Sequence, residues 1–136
     1  MKTFAIFWYR GLALIAVANG LWMLVDPATW FVHIPAGVTD TGPLNNHFVH
    51  DIGVVFVIVG VASWWCAANL TRAWPVHLGI TAFLVGHALV HVAEISFGLL
   101  PAAHWWIDAP LTFAPALVLG VMSLPPVWRQ ISGPNS

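Results

Sequence analysis

The sequence predicts an all-α integral membrane protein, a single-domain bundle of four transmembrane helices with both termini cytoplasmic and a short interfacial helix in the first outer loop. Three observations predict it. The chain has only 4 Lys/Arg and 5 Asp/Glu in 136 residues, about 7% charged where a soluble domain carries roughly a quarter. Hydrophobic residues make up 60% of it, with a mean hydropathy of +0.84. They gather in four runs, each near the roughly 20 residues needed to cross about 30 Å of hydrocarbon. None of the runs shows strand alternation, and an open sheet cannot stand in lipid, so helices are expected.

The first span is expected over about residues 4–25. Ala16-Val17-Ala18 has the form of a signal-peptidase site, but "FAIFWYR" is too aromatic for the leading region of a signal peptide and Arg10 shortens the apolar core, so a retained helix is expected. The connection 26–46 is the one long loop. "DPATWFVHI" opens on an N-cap Asp26 with Pro27 at the first helical position, which predicts a short helix lying in the interface. "PAGVTDTGPLNN" after it is turn chemistry, and a loop of that size is placed to lid the outer end of the bundle. The second span is expected over about 47–68 and the third over 76–100. The fourth, 109–124, carries Pro110, suited to a first turn, and Pro115, expected to kink it. Pro125-Pro126 then stops it. The short connections leave no room for a second domain.

Four spans put Lys2, Arg10, Arg72 and Arg129, all the Lys and Arg of the chain, on one face, which positive-inside logic makes cytoplasmic. Asp26, Asp40 and Asp108 fall on the opposite face. A bacterial inner membrane is the expected location. A net charge of −1 gives no basic field for nucleic acid, and Cys66 is the lone cysteine, so no internal disulfide can form.

Against this apolar background, "HALVHVAE" places His87, His91 and Glu94 on one helical stripe, at about 0°, 40° and 340° around the axis. "HFVHD" at the start of the second span places His47, His50 and Asp51 on another. A short connection makes the two helices antiparallel neighbours, and counting residues brings Asp51 and Glu94 to similar depths. The two stripes are therefore expected to face each other across an outward-opening cleft, with Asp108 at its mouth. Carboxylates at bilayer depth cost a few kcal/mol unless paired, so the cluster is a functional-site candidate. By contrast, His77 reads as a solvated end residue, and His33 and His104 as headgroup contacts.

Imidazole and carboxylate donors in this pattern suit a transition metal, so His47, His50, Asp51, His87, His91 and Glu94 are the candidate metal ligands. A b-type haem would need His50 to face His87 or His91, and the bulky aromatic content offers little sign of a haem-sized slot. A proton relay through Asp51, Glu94 and Asp108, or a quinone headgroup site with His50 and Asp51 as donors, is the third chemistry. A fourth reading makes the stripes structural glue in an accessory protein that engages a membrane-protein complex partner or a second copy of itself. That accessory role is the first expectation, metal- or haem-based redox chemistry the second, and quinone or proton handling the third. The HExxH motif, the nucleophile elbow and the phosphate loop are all missing, which removes support for zinc-protease, hydrolase and kinase readings.

The exit "LVDPATWF" from the first span, followed by "PAGVTDTGPLNNHFVHDIG" and two further helices, resembles the small four-helix bacterial inner-membrane proteins of the DoxX-like group. The motif that carries the resemblance is N-x-H-F-V-x-D-I-G, residues 45–53. The resemblance implies the four-helix topology and, through members linked to quinol or thiol oxidation, favours a redox role. It also implies an Arg–Asp pair in relatives where this chain has His50 and Asp51.

Overall fold

The computed structural model describes residues 1–133. The chain is all-helical, with no strand among the described residues. Helix α1 spans Lys2–Val25, α2 Pro27–His33, α3 Asn46–Ala68, α4 Trp74–Ser96, α5 His104–Ile107, α6 Ala114–Met122 and α7 Pro125–Ser132. A 3₁₀ turn covers Val38–Thr41, and a π turn covers Ala109–Phe113 immediately before α6. Three helices, α1, α3 and α4, are long and apolar enough to cross a membrane. Ala109–Met122 meets the same measure only together with Pro125–Ser132, from which it is bent by 82°.

Local chemistry explains most of the boundaries. Asp26 caps α2 by accepting the Thr29 backbone N–H at 3.0 Å, with Pro27 at the first helical position, as its sequence predicts. Asn45 caps α3 by accepting the Phe48 N–H. Helix α4 stops at Ser96 rather than running to 100. Gly98 takes φ +72°, and the N–H groups of Gly98 and Leu99 turn back to the carbonyls of Ile95 and Glu94, ending the helix in the usual left-handed fashion.

The fourth segment is less regular than its apolar run implies. Pro110 and Pro115 each remove a donor and crowd the carbonyl one turn back. The chain answers with the π turn, in which the Phe113 N–H reaches the Asp108 carbonyl five residues earlier at 3.1 Å. Pro125 and Pro126 end α6 as expected, but they also open α7, with a proline at its first position.

Helix α3 does not pair chiefly with α4, its neighbour in sequence. It lies along α1, with glycines at the contact. A Cβ on Gly20 would sit 2.6 Å from the Gly53 carbonyl oxygen, and one on Gly60 2.9 Å from the Ala13 oxygen. Small residues let apolar helices approach this closely when lipid supplies no hydrophobic drive between them. Helix α4 packs on α6, and α7 folds back onto α1. The main core gathers Tyr9, Cys66, Leu84, Leu119, Met122 and Ile131. A smaller cluster of Met23, Trp30 and Val49 fills the end that carries the 26–46 connection, called here the loop end.

Candidate functional site

Helix α3 packs closely along α1 while α4 packs on α6, and space remains between the two pairs. It is a cavity of about 910 Å³. Gly11, Ile15 and Asn19 of α1, Ile52 and Phe56 of α3, and the π-turn residues Pro110 and Thr112 line it, and His87, His91 and Glu94 of α4 are its ionisable residues. The lid helix α2 covers the loop end, contributing Trp30 and Phe31. Trp30 is held there by donating its indole N–H to Asn19 Oδ1 at 2.9 Å. Phe7, Ile15, Phe48, Val90 and Leu111 belong to the lining yet are well exposed, so the cavity opens through the sides of the bundle. The bulky aromatic residues, which in the sequence offered little sign of a haem-sized slot, border this space instead of filling it.

The "HALVHVAE" stripe lies on this cavity as one unit. His87 is stacked on Phe83 with ring centroids 6.1 Å apart, lies edge-on to Phe56, and has its ring 4.7 Å from that of His91. His91 Nδ1 lies 2.8 Å from Asp108 Oδ2, and the same carboxylate oxygen lies 3.1 Å from His104 Nδ1. His104 Nε2 in turn meets Asp40 Oδ2 at 3.2 Å. These four side chains form one continuous line. His104 and Asp108 have fully buried side chains, His91 is 16% exposed, and Asp40 is 44% exposed at the surface.

The local sequence builds this line. His104 and Asp108 stand i, i+4 across α5, and the π turn hangs from the Asp108 carbonyl. Asp40 is brought in by Gly37, which starts the 3₁₀ turn at φ +59° and whose carbonyl accepts the Asp40 N–H. A Cβ on Gly37 would lie 2.9 Å from His104 Cε1, so both the backbone angle and the close approach call for glycine. Burial opposes protonation of His104, but hydrogen bonds to Asp40 and Asp108 and the charges of both carboxylates outweigh it, raising its pKa above the ordinary imidazole range. His104 is thus an internal residue, not a headgroup contact.

The other expected wall is elsewhere. His47 and Asp51 pair with each other at 3.5 Å, with side chains 89% and 62% exposed, and neither they nor His50 line the cavity. The close α1–α3 seam fixes the rotation of α3, so its polar stripe does not face that of α4. Asp51 therefore does not join Glu94 and Asp108 in one relay. Among the described residues no group of three or more His, Cys, Asp or Glu is disposed to hold a metal ion; the six-residue ligand set of His47, His50, Asp51, His87, His91 and Glu94 does not assemble.

His77 is also corrected. It is fully buried, bonded to the Tyr9 hydroxyl at 2.7 Å through Nδ1 and to Ser123 Oγ at 2.9 Å through Nε2, and stacked on Trp128 of α7. Ser123 Oγ donates to the Leu119 carbonyl, so it accepts from His77 Nε2–H, and Nδ1 receives the Tyr9 proton. With both ring nitrogens satisfied, His77 ties α1, α4 and the end of α6 together.

Asp40 and His104 are the site residues that sequence reasoning missed. The i, i+4 spacing in "HWWID" was available as a signal, being the same spacing that marked His47 and Asp51. The Asp40–His104 contact spans 64 positions and had no local signature. Compared with protein-family models, curated proteins and solved structures, the chain matches none, and nothing in those comparisons supports the DoxX-like resemblance.

Proposed function

We propose that this is a four-span inner-membrane protein, both termini cytoplasmic, whose intramembrane cavity binds a lipid-soluble small molecule with a hydrogen-bonding head, of the quinone class. The observation that carries this reading is the cavity itself. It is of the size of small-molecule sites and mostly apolar and aromatic, with His87, His91 and Glu94 of one helix among its few polar groups. Openings through the sides of the bundle suit a ligand that arrives from the bilayer. His91 has Nδ1 engaged by Asp108, which leaves Nε2 for a ligand oxygen, and Glu94 lies one turn further along the same face.

The accessory reading makes the polar stripes helix-to-helix glue. That arrangement implies a closed interface between α3 and α4, whereas their stripes are separated and one borders open space. A bis-histidine haem is disfavoured for a different reason. The two histidines at the cavity stand one turn apart on a single helix, so they cannot reach opposite faces of one iron.

The test uses Gly11, which lines the cavity and whose added Cβ would meet nothing within 4 Å. Decyl-tailed benzoquinone titrated into protein in nanodiscs should give saturable quenching of the cavity tryptophans Trp8 and Trp30. Gly11→Phe should abolish saturable quenching without lowering the melting temperature. His91→Ala should weaken affinity roughly 5- to 10-fold, the worth of one hydrogen bond. Binding that Gly11→Phe leaves unaltered sinks the reading.

A further inference from the structure

We propose that His91, Asp108, His104 and Asp40 form a proton path that connects the cavity to water at the loop end. This rests on the cavity being the binding site only for its endpoint; the path itself is argued from the line of side chains. Its three links are 2.8, 3.1 and 3.2 Å, within or at the edge of hydrogen-bonding range. Every member is a group that both takes and gives protons. The line starts on a residue of the cavity wall and ends on a carboxylate with 44% of its side chain exposed. In between, both side chains are fully buried, so water does not short-circuit the route.

The charges favour proton loading. With Asp40 as a carboxylate and one proton shared between Asp108 and His104 beyond the one a neutral imidazole carries, the cluster has one net negative charge before His91 is counted. The other ionisable groups on the facing elements, His87 and Glu94 of α4, add no permanent positive charge. Asp108 Oδ1 is buried without a hydrogen-bond partner, so both side-chain hydrogen bonds of this carboxyl run along the line through Oδ2.

The step balances without electrons. In its Nε2–H form His91 gives that proton to a ligand oxygen while Nδ1 takes one from the Asp108 carboxyl. Asp108 is reloaded from His104 Nδ1–H, and His104 Nε2 is reloaded through Asp40 from water. One proton leaves the solvent and one reaches the ligand; His91 is left as its Nδ1–H tautomer and His104 as its Nε2–H tautomer, and the reverse passage resets both.

The decisive experiment needs no ligand. In protein labelled with ¹⁵N-histidine in nanodiscs, NMR measures proton exchange between the His91 ring and water. Asp40 is exposed, so Asp40→Asn leaves the fold intact, and it should slow exchange at His91 at least 10-fold, with Asp40→Glu restoring it. His104→Gln should slow it as well. Unchanged exchange in Asp40→Asn overturns the path. Decyl-tailed benzoquinone should bind Asp40→Asn as tightly as the original protein, since Asp40 does not line the cavity. If that quinone binds neither form, the cavity reading fails, and the exchange rates still decide the path.

Discussion

The α1–α3 seam makes a prediction whose size can be worked from the coordinates. At Gly20 an added Cβ would lie 2.6 Å from the Gly53 oxygen and 2.9 Å from the Val57 nitrogen. Ordinary contact begins at 3.4 Å, so the shortfall is about 0.8 Å, and both obstructing atoms are backbone. Neither can rotate away, so the helices must part. A radial gap of that order forfeits roughly a quarter to a half of each dispersion contact along the seam, and overpacking of this kind costs about 1–3 kcal/mol. Alanine recovers up to ~1 kcal/mol through its better helix propensity. Gly20→Ala should therefore lose about 1–2 kcal/mol net, which for a chain of this size lowers the melting temperature by roughly 4–8 °C. Gly60→Ala, where the Val17 side chain and the Ala13 carbonyl both obstruct, should behave alike. Gly79 and Gly86 of α4 have nothing within 4 Å of an added Cβ, so alanine there should be neutral or stabilising. Thermal unfolding followed by circular dichroism in one detergent would compare all four. A Gly20→Ala protein that melts no lower than Gly79→Ala would refute the argument.

Other consequences follow from individual bonds. Tyr9→Phe strips the buried His77 Nδ1 of its donor and should cost about 1–3 kcal/mol, while ¹⁵N NMR of the intact protein should find that nitrogen unprotonated. The raised pKa of His104 makes its contribution to stability complete below the unfolded value of about 6.5 and lost as pH rises through the higher folded value. Melting temperature should accordingly fall as pH rises from 6 to 9, and His104→Gln should flatten that slope; an equal slope in the variant would count against the assignment. Asp51→Asn breaks only an exposed pair, so its stability should change by less than about 1 kcal/mol and quinone quenching should not change at all.

Residues whose environment is set by their own helix were legible in the sequence. The apolar runs located α1, α3 and α4, "DP" marked the start of α2, and the 100° rule placed His87, His91 and Glu94 on one face, where they are found together. What could not be read was rotation and return. The face that α3 turns to α1 is decided by glycines at 20, 53 and 60, and because α1 and α3 are joined by a long loop, chain proximity pointed to α4 instead. The seven-residue spacing of Gly53 and Gly60 was a usable signal for that face. His77 resembles an end residue when depth is counted along α4, and its burial comes from Tyr9 and Ser123 together with the 82° turn into α7, which lays Trp128 over the ring. Asp40 depends on a left-handed glycine and a partner on another loop, a pairing without periodicity.

The π turn also limits how this segment can change. An α-helical turn in place of Ala109–Phe113 would need one residue fewer, and such a deletion gains regular hydrogen bonding locally. It would also rotate Asp108 and α6 by about 100° relative to one another. The carboxylate between His91 and His104 and the contact of α6 with α4 could not both be kept. Single-residue deletions in this segment should therefore be tolerated far less well than substitutions, and its length is under tighter constraint than its side chains.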